Sequence, residues 1–500
     1  MKGIGKRFLK RKVGIGIVLV QAIISAVLVA LISRFGLPMP YLIGIGFVLV
    51  LLLGLMCLSQ ASKGKFHYPA KAISIILSVL LVVGCFTLYK TYGSLDSATG
   101  NNKKSEEMSI IVLSDNPASA VEDVKNDKFG IVSESSIEKN SKVVDQINEQ
   151  LQTTINTVEY VDCIALVEAL YNRDVDVIIL SEGFRDLIED NYDSFSKDTK
   201  VLDSFKHETE VNVNKTVNDV CTEPFNIFIS GIDTYGDINN TSRSDVNIIA
   251  TVNPVTKQVL LTSTPRDYYV PTTVSNGMED KLTHAGLYGI ECSVGTLEML
   301  YGIEIDYYVK VNFTGFMGIV DALGGVTVHS DYTFTNDKNM TYYKGDNKLD
   351  GERAMWFVRE RHSFASGDLQ RNKNQQYLIK AIIDKASSPA ILSGFNSIMN
   401  TVSESVVTNM QLSDITALVN MQLSDGASWN VVMNGVSGTG GKRTTYSNQS
   451  KKGYVMYPDE EQVAEATQMI QDVLDGKEIS EEEEASASPS PSSSTSSSRN

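Results

Sequence analysis

Residues 226–266 read NIFISGIDTYGDINNTSRSDVNIIATVNPVTKQVLLTSTPR, and their pattern decides the fold of the longest part of the chain. Apolar runs at 227–229, 246–252 and 259–261 have strand character, and Asn253-Pro254 marks a turn between the last two. The order strand, loop, strand, turn, strand has a geometric consequence. The first strand ends just before Asp233, and the second begins beside Arg243 and Asp245. If the third folds back antiparallel on the second, it ends near Arg266 at the same sheet edge. Two carboxylates and two guanidiniums then face one spot. Carboxylate oxygens suit Mg²⁺, and arginine forks suit phosphate. A metal-assisted phosphate site and ordinary loop charge both account for this stretch taken alone.

The chain around it has 500 residues, enough for more than one domain, and a net charge of −16, which argues against nucleic acid as a partner. Its five cysteines form no CxxC or other metal spacing, and no disulfide framework is expected. Residues 13–32, 41–58 and 73–88 are nearly uncharged apolar runs, each approaching the roughly 20 residues a helix needs to cross a bilayer. Basic residues precede the first run (Lys2, Lys6, Arg7, Lys10, Arg11, Lys12) and lie between the second and third (Lys63, Lys65, Lys71), whereas the first connection holds only Arg34. The positive-inside rule then places the N-terminus in the cytoplasm and everything after about residue 89 outside, away from ATP.

The expected organisation is a membrane region with three helices (1–92), a small α/β accessory domain (106–216), an α/β domain with a mixed central sheet and helices on both faces (220–475), and an acidic, Ser/Pro-rich disordered tail (476–500). In the accessory domain, strands are expected at 109–113, 128–132 and 175–180, and helices at 136–151 and 162–171. In the larger domain Asp350 is placed to cap a helix through 351–358, and 375–385 and 412–423 have helical spacing.

Arginine is used unevenly. The chain has thirteen, and six lie between 243 and 371: Arg243, Arg266, Arg353, Arg359, Arg361 and Arg371. Guanidinium is planar, always charged and bidentate, which favours it over lysine for phosphate. Arg359 and Arg361, two apart beyond the expected helix, would point the same way if extended. Pairing with Glu352 and Glu360 would explain them without a ligand, and that is the expectation for Arg353. Residues 435–443, GVSGTGGKR, miss the spacing of a phosphate loop and are expected to be a flexible loop. His284 and His362 stay open between lining a site and a structural role.

The blocks FNIFISGID (225–233), RSD (243–245), TPRD (264–267), KLTHAG (281–286), DALGG (321–325), LDGER (349–353), VRER (358–361) and the GD, R and NQ of 367–375 resemble, in order and spacing, the LytR-CpsA-Psr family. With three spans and a small module in front, the chain is most similar to its capsule-locus members. The resemblance implies a Mg²⁺-dependent phosphotransferase at the cell membrane. It would move a glycopolymer, expected to be capsular polysaccharide, from a polyprenyl pyrophosphate in an apolar channel to peptidoglycan. Asp233 and Asp245 would bind the metal. Arg243, Arg266, Arg359, Arg361, Arg371 and Gln375 would contact the pyrophosphate. Arg266, Arg359, Arg361 and Asp368 would be catalytic, with Asp267 and Asp368 as candidates for the general base. Other capsule-synthesis proteins are conceivable partners. A polyprenyl pyrophosphate phosphatase, a teichoic acid ligase and a non-catalytic lipid sensor are the alternatives.

Overall fold

The computed structural model describes residues 11–34, 39–61, 67–98, 103–133, 137–211, 213, 217–232, 238–388, 401 and 406–480. Its centre is a six-stranded mixed sheet. The quoted stretch supplies β6 (Phe225–Ile232), β7 (Ser244–Asn253) and β8 (Gln258–Ser263), paired antiparallel in sequence. A strand Tyr307–Asn312 (β9) adds parallel to β6, and Val406–Thr408 (β10) closes that edge. On the far side Asn430–Gly435 (β11) runs parallel to β8. Helices cover both faces, which is why the strands are continuous apolar runs rather than alternating ones. On one face Phe228, Ile249, Leu260 and Val432 pack against two helices, Ile290–Tyr301 (α6) and Glu460–Leu474 (α11). On the other, Ile227, Ile229, Ala250 and Val259 lie beneath the remaining helices: α7 (Phe313–Ala322), α9 (Asp368–Ala386) and α10 (Leu412–Asp425).

One irregularity bears on the site. The β6–β7 register shifts between Gly231 and Ile232, directly opposite the start of β7. A Cβ on Gly231 would lie 2.6 Å from the Val246 side chain, so only glycine fits there. Such bulges re-aim neighbouring side chains. Here the neighbour is Asp245.

The accessory sheet has five strands in the order β3-β2-β4-β1-β5. These are β1 (Lys103–Leu113), β2 (Lys128–Val132), β3 (Asn156–Tyr160), β4 (Val177–Ser181) and β5 (Thr199–Glu210). Helix α4 (Ile137–Leu151) packs on one face through Val143 and Ile147, and α5 (Cys163–Tyr171) on the other through Ile164 and Leu166. The strands at both edges, β3 and β5, escape the sequence reading. NTVEY and TKVLDSFKHETE carry charge along exposed edges, as edge strands do.

Three helices, α1 (Arg11–Arg34), α2 (Met39–Ala61) and α3 (His67–Ala98), are long and apolar enough to cross a membrane. Ser74 Oγ of α3 donates to Gln21 Oε1 of α1, a buried polar tie of the kind that fixes helix pairs in lipid.

Several boundaries need correction. Helix α3 continues to Ala98 and β1 begins at Lys103, so the gap expected between residues 92 and 106 is shorter. Ile479 is buried, and its N–H donates to Gln258 Oε1 at 2.8 Å, so the chain stays packed beyond residue 475. The rest of the expected tail, 481–500, lies outside the described residues. Residues 435–443 are not a loop. Gly438–Thr445 (β12) pairs with Asn448–Pro458 (β13) in a hairpin whose glycines sit against the rings of Tyr454 and Tyr457. All five cysteines are free.

Candidate active site

The edge formed by the start of β7 and the end of β8 brings Asp245 and Arg266 together. Arg266 Nη1 donates to Asp245 Oδ2 at 2.9 Å, and Thr283 Oγ1 donates to Asp245 Oδ1 at 3.2 Å. Two further segments complete the cluster. Helix α8 (Gly351–Arg359) starts at Asp350, whose side chain accepts the Arg353 N–H, and delivers Arg359 at its end. Glu360 is extended, and Arg361 follows. Helix α9 then begins at Asp368, and Arg371 Nη2 donates to Asp368 Oδ2 at 2.8 Å.

Helix α9 also explains the shape of the site. Asp368, Arg371, Gln375, Ile379, Ile382 and Ile383 recur at helical spacing on one stripe. From Arg371 onward these residues line a single cavity of about 740 Å³ between sheet and helices. Its mouth is polar, with Asp245, Arg266, Arg359, Arg361, Arg371 and Gln375. Its body is apolar, with Ile227, Val252, Val311, Phe316, Leu418 and Trp429 among its walls. Core packing would have filled this space. Instead the apolar residues of 313–322 and 379–383 line a slot.

The mouth carries an electrostatic demand. Arg266 lies among three carboxylates, with Nε 3.8 Å from Asp267 and 3.6 Å from Asp368 as well as the Asp245 bond. That Nε and the Nε of Arg371 are buried and have no hydrogen-bond partner. Unsatisfied buried donors are rare and mark a place for an acceptor. Burial, and then the nearby Arg266, push the Arg371 guanidinium below its usual range. Burial pushes the Asp245 carboxyl up, but Arg266, Arg371 and Arg243 outweigh it and hold it below the usual range. Burial in turn lowers the Arg266 guanidinium, but Asp245, Asp267 and Asp368 outweigh it and hold it above its usual range, so the mouth interleaves buried cations and carboxylates. Arg359 lies over Phe313, its Cζ 4.3 Å from the ring centre, and near Trp356 at 5.4 Å. Stacking of this kind holds the fork in place.

The remaining expectations fall out as follows. Arg243 does not line the cavity: its Nη1 donates to Asp190 Oδ2 of the accessory module at 2.5 Å. Asp233 lies outside the described residues. Arg353 stays away from the site, bonding Thr341 O at 2.8 Å and stacking on Tyr342. Glu360 is buried and caps Ser363 rather than pairing with the arginines. His284 is structural, bonded to buried Asp280 at 2.7 Å, and His362 lines the mouth. Three participants are not among the expected site residues, although two of them, Lys281 and Thr283, stand in the KLTHAG block. Lys281 Nζ donates to Asp267 Oδ1 at 2.9 Å, Thr283 orients Asp245, and Tyr454 of the hairpin lies beside the site. Burial, then Asp267 and Asp368, raise the Tyr454 hydroxyl above its ordinary pKa.

The fold is thus a mixed α/β sheet carrying a slot with a polar mouth and an apolar body. Residues 191–472 match the LytR_cpsA_psr family model, and the chain belongs to that family. It is similar to the polyisoprenyl-teichoic acid–peptidoglycan teichoic acid transferase TagU of Bacillus cereus, at 34% identity over 224 residues, 44% of this chain and 72% of the relative. TagU of Enterococcus faecalis is 34% identical over 219 residues, 43% of this chain and 72% of the relative. Among solved structures it is similar to B. subtilis TagV, at 28% identity over 51% of this chain and 98% of that one, with a TM-score of 0.43.

Proposed function

We propose that the protein is a membrane-anchored phosphotransferase, its site outside the cytoplasmic membrane, that moves a glycopolymer from a polyprenyl pyrophosphate to a peptidoglycan hydroxyl. The observation that carries this reading is the single cavity with arginines at its mouth and hydrocarbon along its body. A polyprenyl pyrophosphate has that same division. The relatives named above are teichoic acid transferases. The capsular polymer is our narrower choice, on the three spans and the accessory module in front of the family domain.

In this reading Arg266, Arg359, Arg361, Arg371 and Gln375 bind the two phosphates. The acceptor oxygen attacks the sugar-bearing phosphorus, the bridging P–O bond breaks, and polyprenyl phosphate leaves. Of the three carboxylates around Arg266, Asp267 and Asp368 are the candidates to take the hydroxyl proton. Charge neutralisation by fixed groups supplies most of the catalysis in such transfers. Mg²⁺ fits the donor chemistry at Asp245, a hard oxygen ligand at the mouth, with Asp233 as the second expected ligand. Among the described residues no three His, Cys, Asp or Glu side chains gather as a cage. Mg²⁺ is commonly held by one or two carboxylates plus substrate phosphate and water. When bound it would neutralise charge developing on the leaving phosphate.

The test is transfer in vitro. The purified full chain, a labelled lipid-pyrophosphate oligosaccharide, peptidoglycan and Mg²⁺ should yield label on peptidoglycan, and EDTA should abolish it. Label released as soluble oligosaccharide phosphate would recast the protein as a phosphatase. Binding without turnover would recast it as a sensor.

A further inference from the structure

Arg243 and Asp245 are two residues apart, yet only Asp245 lines the cavity. The Arg243 guanidinium faces the accessory module, with Nη1 2.5 Å from Asp190 and Nη2 3.8 Å from Asp186. These acids follow one another around a short helix, Arg185–Glu189, whose Leu187 and Ile188 are buried in the module's core. The core thus fixes the helix and leaves the carboxylates outward.

The module also grips the segment that leads into Arg243. Ser105 of β1 donates its N–H to Asn239 O at 3.0 Å and accepts the Thr241 N–H at 3.2 Å. Gly183 approaches so near that a Cβ there would lie 2.9 Å from Thr241 O. From the other side Lys310 Nζ holds Asn240 O at 2.6 Å. A second anchor lies at the hairpin turn, where Asp162, the N-cap of α5, also accepts the N–H groups of Gln449 at 2.7 Å and Ser450 at 3.1 Å. Leu287 also packs into the accessory core and Phe184 meets the Tyr288 ring, so the module is anchored on the family domain at several points and its acids are held beside Arg243.

We propose that Asp186 and Asp190 are positioning residues for the phosphate site: they hold Arg243 off the cavity and compete with the substrate's pyrophosphate for it. The proposal rests on the transferase reading and gives the accessory module a role in it. The strength of the pair suits a competitor. Both acids are half-exposed, with side chains 49% and 58% accessible, and such ion pairs are weak. A bidentate arginine–phosphate contact is stronger, so a bound pyrophosphate can draw Arg243 away.

The experiment is a binding cycle on the full chain in nanodiscs, read by calorimetry with a short-chain polyprenyl pyrophosphate as probe. The double variant Asp186→Asn with Asp190→Asn should bind the probe about two- to fivefold more tightly, the range of an exposed ion pair. In an Arg243→Ala background the same two changes should leave Kd unmoved. An equal or weaker Kd in the double variant, or the same tightening without Arg243, overturns the competition. Failure of the unsubstituted chain to bind the probe at all overturns the transferase reading, and this proposal with it.

Discussion

The two ends of the cavity follow opposite rules, although one helix supplies both. At the mouth Arg371 is buried with an unsatisfied N–H, and burial and Arg266 both disfavour its charge. A few turns along α9, Ile379, Ile382 and Ile383 line a slot that solvent would fill at a hydrophobic cost. The mouth offers guanidiniums and the body offers apolar walls. The proposed ligand follows from that difference: one molecule with an anionic head and a hydrocarbon tail. The ends should therefore fail in different ways when altered.

The largest effect is expected at the mouth. Arg266 bonds Asp245 and lies beside Asp267 and Asp368, so its loss removes a phosphate donor and leaves three carboxylates to repel the substrate. Arg266→Ala should lower kcat by about 10²–10³, the scale for removing one preorganised donor at an oxyanion. Steady-state kinetics with a short-chain donor would measure it. Near-wild-type kcat would remove Arg266 from the chemistry.

The body should show a smaller effect with a distinct signature. Ile379→Asp places a charge in the slot one helical turn below Gln375. It should weaken a long-chain polyprenyl donor roughly ten- to hundredfold, since burying a side chain of this size contributes about 1.5–3 kcal/mol. A donor with a truncated tail should be indifferent. Equal losses for both donors would mean that the slot does not hold the tail, and the contrast between the ends would collapse.

Much of this was legible in the chain before it was folded. The runs at 227–229, 246–252 and 259–261 announce their strands because both faces of the sheet are covered. The Asn253-Pro254 turn then forces Asp245 and Arg266 to one edge. Other features leave no local mark. The ion pairs of Arg243 are one, because its partners, Asp190 and Asp186, sit in another module some fifty positions earlier. Nothing in RSD says which anion its arginine meets. The hairpin of β12 and β13 reads as a loop because its glycines make room for tyrosine rings, a reason visible only in three dimensions. Isoleucines on α9 look the same whether they pack a core or line a slot. The slot exists because the sheet and its covering helices do not close, and that is a property of the whole assembly.

The smallest expected effect concerns how the mouth is held rather than what it does. Arg359 arrives at the site at the end of α8, a helix of only nine residues that depends on its start. There Asp350 accepts the Arg353 N–H at 2.9 Å, and the next residue's N–H, on Gly351, donates to Asp321 at 2.7 Å. Asp350→Ala removes the first of these and leaves the second. It should lower stability by about 1 kcal/mol, the usual value of an N-cap. The midpoint of a urea melt would report it. Arg359 is also held by its stack on Phe313, so kcat should stay within about twofold of wild type if ~1 kcal/mol is lost only from global stability. A large fall in kcat with an unchanged melt would show that the cap aims the arginine directly. The mouth would then depend on its helix geometry as closely as the body depends on its apolar walls.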